Sequence, residues 1–274
     1  MTVTLPRIAI LGAGSMGGAI LAGLVRPEVS LEGVTVTNRS PEKAAALASD
    51  VVRSLATSER ADANREAVRG ARIVLVGVKP AMVPALLEEI AGDLEPDAVV
   101  VSVAAGVPIS TMEALVPGAV MRAMPNTPSL VGLGVTGLAA GTRSSAEDLS
   151  LVTALFGTVG DVLVIDEQRI DELSTISGSG PAYVFLLMEQ LEGTASRMGF
   201  DADEARRMVL GTFRGAAELL AASDVDPAEL RRRVTSPNGT TERAIGVLES
   251  ADLGALFDRA TAAALARAKE LAAG

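Results

Sequence analysis

Hydrophobic residues in the first 165 positions form short runs that alternate with segments of helical spacing. Four of these runs predict buried strands, at Arg7–Leu11, Val34–Thr37, Arg72–Val78 and Ala98–Val103. Helical patterns follow the first three runs, at Ser15–Val25, Pro41–Ala48 and Ala81–Ala91. Three further runs predict strands that complete this half, at Val120–Met124, Gly134–Ala139 and Val162–Ile165. Such alternation argues for a parallel sheet with helices on both faces.

After about Asp166 the β-branched runs disappear, and helical patterns continue to the C-terminus. They predict five helices, at Arg169–Ile176, Pro181–Met198, Ala202–Ala222, Thr240–Glu249 and Leu253–Leu271. The change in pattern predicts an α/β domain over residues 1–165 and an all-helical domain over residues 166–274.

One predicted helix is apolar on every side. The segment Pro181–Met188 has no polar face apart from the hydroxyl of Tyr183, so a stable fold must bury all of it. An interface between subunits would bury it more easily than a single small helical domain would. We therefore expect a homo-oligomer, either a dimer or a multiple of dimers.

Composition and charge remove several classes of function. The chain has 274 residues, with 24 Lys and Arg against 34 Asp and Glu and a formal net charge of −10. Nucleic acid is not an expected partner, because neutralising its phosphates needs clustered basic residues. The absence of Cys and His excludes disulfides, thiolate nucleophiles and His-based catalysis, and we expect no metal site. Catalysis must use carboxylates, Lys, Arg, hydroxyls, backbone amides or a bound cofactor.

The apolar N-terminus does not predict a membrane segment. Glycines interrupt the run over residues 1–25 where a signal peptide needs an unbroken apolar core. The longest later apolar stretch, Ala98–Ile109, is far shorter than the roughly 20 residues that cross a bilayer. We expect no membrane partner and a cytoplasmic location.

A glycine motif follows the first predicted strand and opens the first predicted helix. Gly12-Ala-Gly14-Ser15-Met16-Gly17 matches the dinucleotide-binding pattern in the context that this pattern requires. Its glycines allow a tight turn, close approach of a pyrophosphate, and packing of the helix on the strand. Amides at the helix start would then bind the phosphates.

The end of the second predicted strand indicates which dinucleotide binds. NAD-binding proteins place an acidic residue there to hold the ribose hydroxyls. This chain has Asn38 and Arg39 instead, and Arg39 suits a 2′-phosphate. NADPH is the expected cofactor, with NADH possible.

A C-terminal motif, Thr235-Ser236-Pro237-Asn238-Gly239-Thr240-Thr241, makes the chain resemble the pyrroline-5-carboxylate reductase family. Four other motifs resemble that family in the same order along the chain: Val78-Lys79-Pro80, Val103-Ala104-Ala105-Gly106, Met124-Pro125-Asn126-Thr127-Pro128 and Ser177-Gly178-Ser179-Gly180-Pro181. The resemblance implies an N-terminal Rossmann-type dinucleotide-binding domain followed by a helical dimerisation domain. It also implies reduction of 1-pyrroline-5-carboxylate to L-proline by NAD(P)H, the last step of proline biosynthesis.

The C-terminal motif carries the expected substrate site. The amides of Gly239, Thr240 and Thr241 lie where a helix begins and suit the substrate carboxylate, and Ser236 and Asn238 belong to the same loop. By resemblance, Thr241 hydrogen-bonds the substrate nitrogen and donates or relays its proton. Asn238 stands where many relatives have glycine, and Asn tolerates positive φ next best, so we expect little change there.

The remaining motifs supply expected cofactor contacts by resemblance. Val78, Lys79 and Pro80 end a strand beside the cofactor. Ala104 and Gly106 line the nicotinamide pocket, Asn64 lies near the adenosine, and Asn126 occupies a turn that could face the nicotinamide.

Three other functions stay open at this point. A related β-hydroxyacid dehydrogenase would need a catalytic Lys on the first long helix of the second domain, and Ser177–Glu189 contains none. A reductase acting on another imine is harder to distinguish. A non-catalytic NADP sensor would have no reason to keep the loop Ser236–Thr241.

Overall fold

The computed structural model describes residues 3–273, which form two compact units. The residues up to Ser179, together with those from Leu265 onward, make up the first unit, and Gly180–Ala264 makes up the second. No helix in the described part is long and apolar enough to cross a membrane.

The first unit is built on a sheet of eight strands, with a separate pair of short strands beside it. Over residues 3–273 the strands are β1 (Val3–Leu5), β2 (Ile8–Leu11), β3 (Val29–Leu31), β4 (Val34–Asn38), β5 (Val52–Ala56), β6 (Ile73–Val76), β7 (Val99–Ser102), β8 (Ala119–Met124), β9 (Gly134–Ala140) and β10 (Gly160–Val164). Their order in the large sheet is β10-β9-β8-β7-β6-β2-β4-β5, and β1 pairs with β3. Every residue of β2, β6 and β7 is buried, as expected of strands with helices on both faces.

The sheet is parallel except at one junction. From β5 to β8 the neighbouring strands run parallel, but β9 runs antiparallel to β8, and β10 then runs parallel to β9. Only a short 3₁₀ turn, Thr127–Val131, joins β8 to β9, whereas a parallel crossover needs a dozen or more residues. The parallel sheet that the alternation predicted is therefore present from β5 to β8, and β9 departs from it by running antiparallel to β8.

Helices cover both faces of this sheet. They are α1 (Ser15–Leu24), α2 (Pro41–Leu47), α3 (Ala63–Val68), α4 (Val83–Ile90), α5 (Ile109–Glu113), α6 (Ala146–Gly157) and α7 (Ile170–Leu173). One core cluster includes Ile20 of α1 and Phe156 of α6, and the other includes Val68 of α3, Leu87 of α4 and Met112 of α5. The expected start of α2 is confirmed, because the Ser40 hydroxyl accepts the Lys43 amide and Pro41 occupies the first turn. This layered arrangement is that of a Rossmann-type domain.

The second unit is helical, as the sequence pattern predicted. Its helices are α8 (Gly180–Arg197), α9 (Ala202–Ala221), α10 (Pro227–Arg233) and α11 (Thr240–Glu249), and α12 (Leu253–Ala273) begins in it. The four long predicted helices agree with these bounds to within about two residues. The short α10 was not predicted.

The predicted boundary after Ile165 lies just beyond the last strand, β10. A 3₁₀ turn, α7 and a π-helical turn over Ser174–Gly178 follow it, and these elements still belong to the compact first unit. The functional division at residues 165 and 166 stays a prediction.

Helix α8 exposes large apolar side chains in the single chain. Phe185 is 65% exposed and Leu187 is 45% exposed, and Val184, Leu186 and Leu191 are also exposed. On this helix only Ala195 is buried. An apolar surface of this kind marks an interface, so one chain does not achieve the burial that the sequence demands.

Replacing both Phe185 and Leu187 with Asp should break up the assembly, because two desolvated carboxylates would oppose association. Light scattering should report a lower molar mass than for the wild type, or circular dichroism should report loss of helix. Val51→Asp, at a 58% exposed apolar position in the first unit, is the matched control and should keep the wild-type mass. A folded wild-type monomer would contradict this expectation.

Candidate functional site

The residues expected around a dinucleotide lie at one edge of the sheet in the first unit. Gly12 directly follows β2, Asn38 ends β4, and Val78, Ala104 and Asn126 come shortly after the ends of β6, β7 and β8. These five strands are parallel, so their carboxyl ends meet at a common edge. Open α/β sheets bind their ligands at that edge.

Two glycines let β2 and β6 approach closely at this edge. Gly12 has a φ of +84°, and a Cβ built on it would lie 2.8 Å from Val78 Cγ1. A Cβ on Gly77 would lie 2.7 Å from the Gly12 carbonyl oxygen. The strand order reverses here, since β2 has β4 on one side and β6 on the other, and dinucleotides bind at such reversals.

The other glycines of the motif differ in their surroundings. A Cβ on Gly17 would lie 3.1 Å from the Gly12 carbonyl oxygen, so α1 packs tightly on the loop before it. A Cβ on Gly14 would meet no atom of the described residues within 4 Å. Gly14 is also the N-cap of α1 and provides no side-chain cap. The amides that begin this uncapped helix are those of Ser15, Met16 and Gly17. The loop therefore has open space and helix-start amides where a pyrophosphate would bind.

A pocket of about 530 Å³ opens beside the glycine loop. Its apolar lining follows β6 and consists of Val78, Ala81, Met82, Ala85 and Leu86. Its polar lining consists of Gly12, Thr37, Asn38, Arg39, Thr57, Asn64 and Glu89. An apolar slot with a few polar groups suits the adenosine end of a dinucleotide.

Asn38 and Arg39 both line this pocket. Asn38 is 6% exposed, and its Nδ2 is buried without a hydrogen-bond partner among the described residues. Arg39 is exposed and makes no ion pair within residues 3–273. A free guanidinium at the wall of this pocket fits a phosphate ester, so Arg39 suits a 2′-phosphorylated ribose.

Asn64 and Thr37 connect the glycine loop to the pocket wall. The Gly12 amide donates to the carbonyl oxygen of Thr37 at 3.1 Å and to its Oγ1 at 3.3 Å. The Thr37 hydroxyl in turn donates to Asn64 Oδ1 at 2.9 Å. Asn64 thus lines the pocket, and its oxygen accepts the Thr37 hydroxyl; its expected position near the adenosine stays a prediction.

The other predicted cofactor residues lie at the same sheet edge but are not all in this pocket. Lys79 and Pro80 are exposed, and Pro80 begins the 3₁₀ turn that leads to α4. Ala104 is 6% exposed, and Gly106 has a φ of +75°. Their contact with a nicotinamide stays a prediction.

Asn126 is buried, and both ends of its amide are engaged. Its Nδ2 donates to the Ser177 carbonyl oxygen at 2.9 Å, and its Oδ1 accepts the Val135 amide at 2.8 Å. It therefore links the start of β9 to the π-helical turn Ser174–Gly178. This geometry assigns Asn126 a positioning role, and its expected contact with the nicotinamide is untested.

The predicted substrate loop lies in the second unit, between α10 and α11. The Gly239 amide donates to the Ser236 carbonyl oxygen at 3.0 Å, and Asn238 has a φ of +58°. Pro237 followed by positive φ is the pattern of a type II turn, which explains why glycine or Asn stands at residue 238. The positive φ that the sequence suggested is thus present.

Of the three backbone amides expected to bind an anion, two remain available beside this turn. The Gly239 amide is already used within the turn, whereas Thr240 and Thr241 begin α11, which has no side-chain cap. Thr241 is half-buried, and its hydroxyl makes no hydrogen bond to another described residue. The Glu242 carboxylate accepts a hydrogen bond from the backbone N–H of Asn238 at 2.9 Å and so stabilises the turn.

The arginines before this loop are paired. Arg231 lies 3.2 Å from Glu249, and Arg232 and Arg233 both bind Glu229. Hydrogen bonds from Arg232 and Arg233 lower the pKa of Glu229 to about 2. Each arginine of this run is therefore already paired with a carboxylate on the helix surface.

Sequence reasoning missed several pocket residues. Thr57, Met82 and Glu89 line the pocket but follow no motif. In the helical repeat of α4, residue 89 occupies a position that is ordinarily exposed to solvent. Only the closeness of α3 and α4 in the fold brings Glu89 to Asn64.

Two family models match the chain. The model described as pyrroline-5-carboxylate reductase dimerisation matches residues 167–271, and the model described as NADP oxidoreductase coenzyme F420-dependent matches residues 7–106.

Individual relatives match over nearly the full length. A pyrroline-5-carboxylate reductase of Pseudomonas aeruginosa is 39% identical over 97% of each chain. The structure of a pyrroline-5-carboxylate reductase from Coxiella burnetii has a TM-score of 0.87 at 36% identity and covers 96% of this chain and 97% of its own. The Plasmodium falciparum pyrroline carboxylate reductase, solved with NADP bound, has a TM-score of 0.82 at 26% identity, with coverage of 97% and 98%.

The contrast between Gly12 and Gly14 gives a direct test of the glycine loop. Gly12→Ala should cost about 2 to 4 kcal/mol of unfolding free energy, through positive φ and overpacking on Val78. Gly14→Ala should cost less than about 1 kcal/mol, the scale of a helix cap, yet weaken NADPH binding because its methyl group occupies the pyrophosphate space. Urea unfolding and calorimetric titration measure the two effects.

Gly18→Ala is the matched control for this pair. A Cβ at Gly18 also meets no described atom within 4 Å, but Gly18 lies inside α1 beyond the loop. It should bind NADPH as the wild type does. Unchanged NADPH affinity in Gly14→Ala would contradict the assignment of the loop.

Proposed function

The chain belongs to the pyrroline-5-carboxylate reductase family, and from this membership we propose that it reduces 1-pyrroline-5-carboxylate to L-proline with NAD(P)H. The observation that carries the proposal is the full-length likeness to enzymes of that name, at up to 39% identity over 97% of the chain. The dinucleotide pocket of the first unit and the loop of the second unit supply the two kinds of site that the reaction requires.

The reaction adds a hydride to the imine carbon and a proton to the nitrogen. NAD(P)H supplies the hydride when bound, so the chain itself must bind, orient and help to protonate the substrate. None of these tasks needs Cys or His. Backbone amides and hydroxyls are sufficient.

Arg39 supports a preference for NADPH over NADH. Its free guanidinium belongs to a residue that lines the pocket proposed for the adenosine, and a guanidinium suits a 2′-phosphate. We expect the remaining cofactor contacts to come from the glycine loop and from the residues that follow β6, β7 and β8.

Residues Ser236 to Thr241 are the proposed substrate site. The amides of Thr240 and Thr241 would bind the substrate carboxylate at the start of α11, and the Thr241 hydroxyl would hold the ring nitrogen. Ser236, Asn238 and Gly239 shape the turn that sets these groups.

The protein acts as a homo-oligomer, and the exposed apolar side chains of α8 are the proposed contact. The cytoplasmic location expected from the sequence is part of the proposal and awaits fractionation.

A direct assay tests the proposed activity. Purified protein incubated with NADPH and 1-pyrroline-5-carboxylate should consume NADPH and form equimolar proline. A six-membered cyclic imine carboxylate and a β-hydroxyacid with NADP⁺ are the comparison substrates. Faster turnover of either one, or nucleotide binding without any turnover, would refute the proposal.

Changing Arg39 should alter cofactor choice. Arg39→Asp replaces a phosphate partner with a like charge, so kcat/KM with NADPH should fall about tenfold or more while kcat/KM with NADH changes little. Arg39→Lys keeps the charge and should retain most of the preference for NADPH. An unchanged ratio of the two kcat/KM values in Arg39→Asp would show that this residue does not read the 2′-phosphate.

Removing the Thr241 hydroxyl should impair protonation. Thr241→Ala should lower kcat/KM by roughly one to three orders of magnitude and leave NADPH affinity intact. The defect should shrink as pH falls, because more of the imine then arrives protonated and needs no donor. Steady-state rates across a pH series measure this.

Thr241→Ser keeps the hydroxyl and should recover most of the lost rate. Wild-type efficiency of Thr241→Ala at alkaline pH, or a defect that grows toward acid, would remove Thr241 from the proposed mechanism.

A further inference from the structure

Glu89 brings a carboxylate into the lining of the dinucleotide pocket. It lies on α4, and both of its carboxylate oxygens accept from Asn64 Nδ2 at 3.3 Å. Among the described residues that line this pocket, Arg39 and Glu89 alone carry charge. No motif in the sequence marks Glu89.

The carboxylate fixes the orientation of the Asn64 amide. An ionised carboxylate can only accept hydrogen bonds, so the NH₂ group of Asn64 must turn toward Glu89 and its oxygen toward Thr37. The Thr37 hydroxyl donates to that oxygen at 2.9 Å, and the Gly12 amide lies 3.3 Å from Thr37 Oγ1. Glu89 is thus connected through two side chains to the glycine loop.

The charge of Glu89 also bears on the phosphate. Arg39 and Glu89 together give the pocket lining a formal charge of zero, whereas a phosphate monoester carries about −1.5 to −2. A 2′-phosphate bound in this pocket would therefore have one favourable and one unfavourable charge among the lining residues. NADH has no such phosphate, so its binding should be less sensitive to this balance than that of NADPH.

We propose that Glu89 is a specificity-determining residue of the cofactor site, which holds Asn64 in place while its charge limits the preference for NADPH over NADH. The proposal rests on the proposed function only in taking NAD(P)H as the bound group. Testing it requires only that the protein bind NADPH and NADH, and not that it turn over a substrate.

Glu89→Gln isolates the charge. The Gln amide oxygen can still accept from Asn64 Nδ2, but the negative charge is gone. Glu88→Gln is the matched control, because Glu88 is the preceding residue of α4, is exposed, and does not line the pocket. Both variants change the net charge of the protein equally.

Calorimetric titration of the assembled protein with NADPH and with NADH, at low and high salt, tests the proposal. Glu89→Gln should lower the Kd for NADPH about twofold to fivefold, the scale of exposed charge pairs. The Kd for NADH should stay within about twofold of the wild-type value. The gain should shrink at high salt, which screens exposed charges. Glu88→Gln should match the wild type with both nucleotides.

Three results would overturn the proposal. They are an unchanged ratio of NADPH to NADH affinity in Glu89→Gln, an equal loss of affinity for both nucleotides in Glu89→Gln, or the same gain in NADPH affinity in Glu88→Gln. Its failure is separable from failure of the proposed function. A protein that binds both nucleotides and shows the expected shift, yet does not reduce 1-pyrroline-5-carboxylate, would refute the function and leave the role of Glu89 standing.

Discussion

The backbone contact between Gly12 and Gly77 is the constraint on which the cofactor site depends. A side chain at either residue would push β2 and β6 apart at their carboxyl ends, because a Cβ there would lie 2.7 to 2.8 Å from an atom of the facing loop. The amides of Gly12 and Ala13 are also held by the Thr37 carbonyl oxygen. The loop is therefore fixed between β4 and β6, and its position sets the start of α1. Phosphate binding by helix-start amides works only if that position does not move.

Most of the fold could be predicted, because buried parallel strands require continuous apolar runs and helices require a different period. The strands that were missed lack one of these signals. Strand β5 mixes Arg53 and Ser54 with apolar residues at the sheet edge, and β1 and β3 are only three residues long. The reversal at β9 depends on the length of a connection and not on the pattern within the strand. No periodicity contains that information.

The candidate site was predictable where a residue type has one physical use. A glycine before a helix start, an arginine after the second strand and an Asn in a Pro-Asn-Gly turn each indicate a backbone or charge requirement. The sequence could not show how a versatile side chain divides its hydrogen bonds. The side-chain amide of Asn126 joins Val135 to Ser177, which no motif indicates, and its expected contact with a nicotinamide stays a prediction. Glu89 has no signal at all, since its partner Asn64 lies on another helix.

If α8 forms the contact between subunits, as proposed, the stability of this protein depends on mass action. In the proposed interface, association removes that face from water, so the folded assembly is favoured by the concentration of chains as well as by contacts within each chain. For a dimer, each tenfold dilution lowers the free energy of unfolding by about 1.4 kcal/mol. A substitution far from α8 that lowers the free energy of unfolding slightly would therefore be tolerated at high protein concentration. At low protein concentration the same substitution would unfold a measurable fraction of the chains.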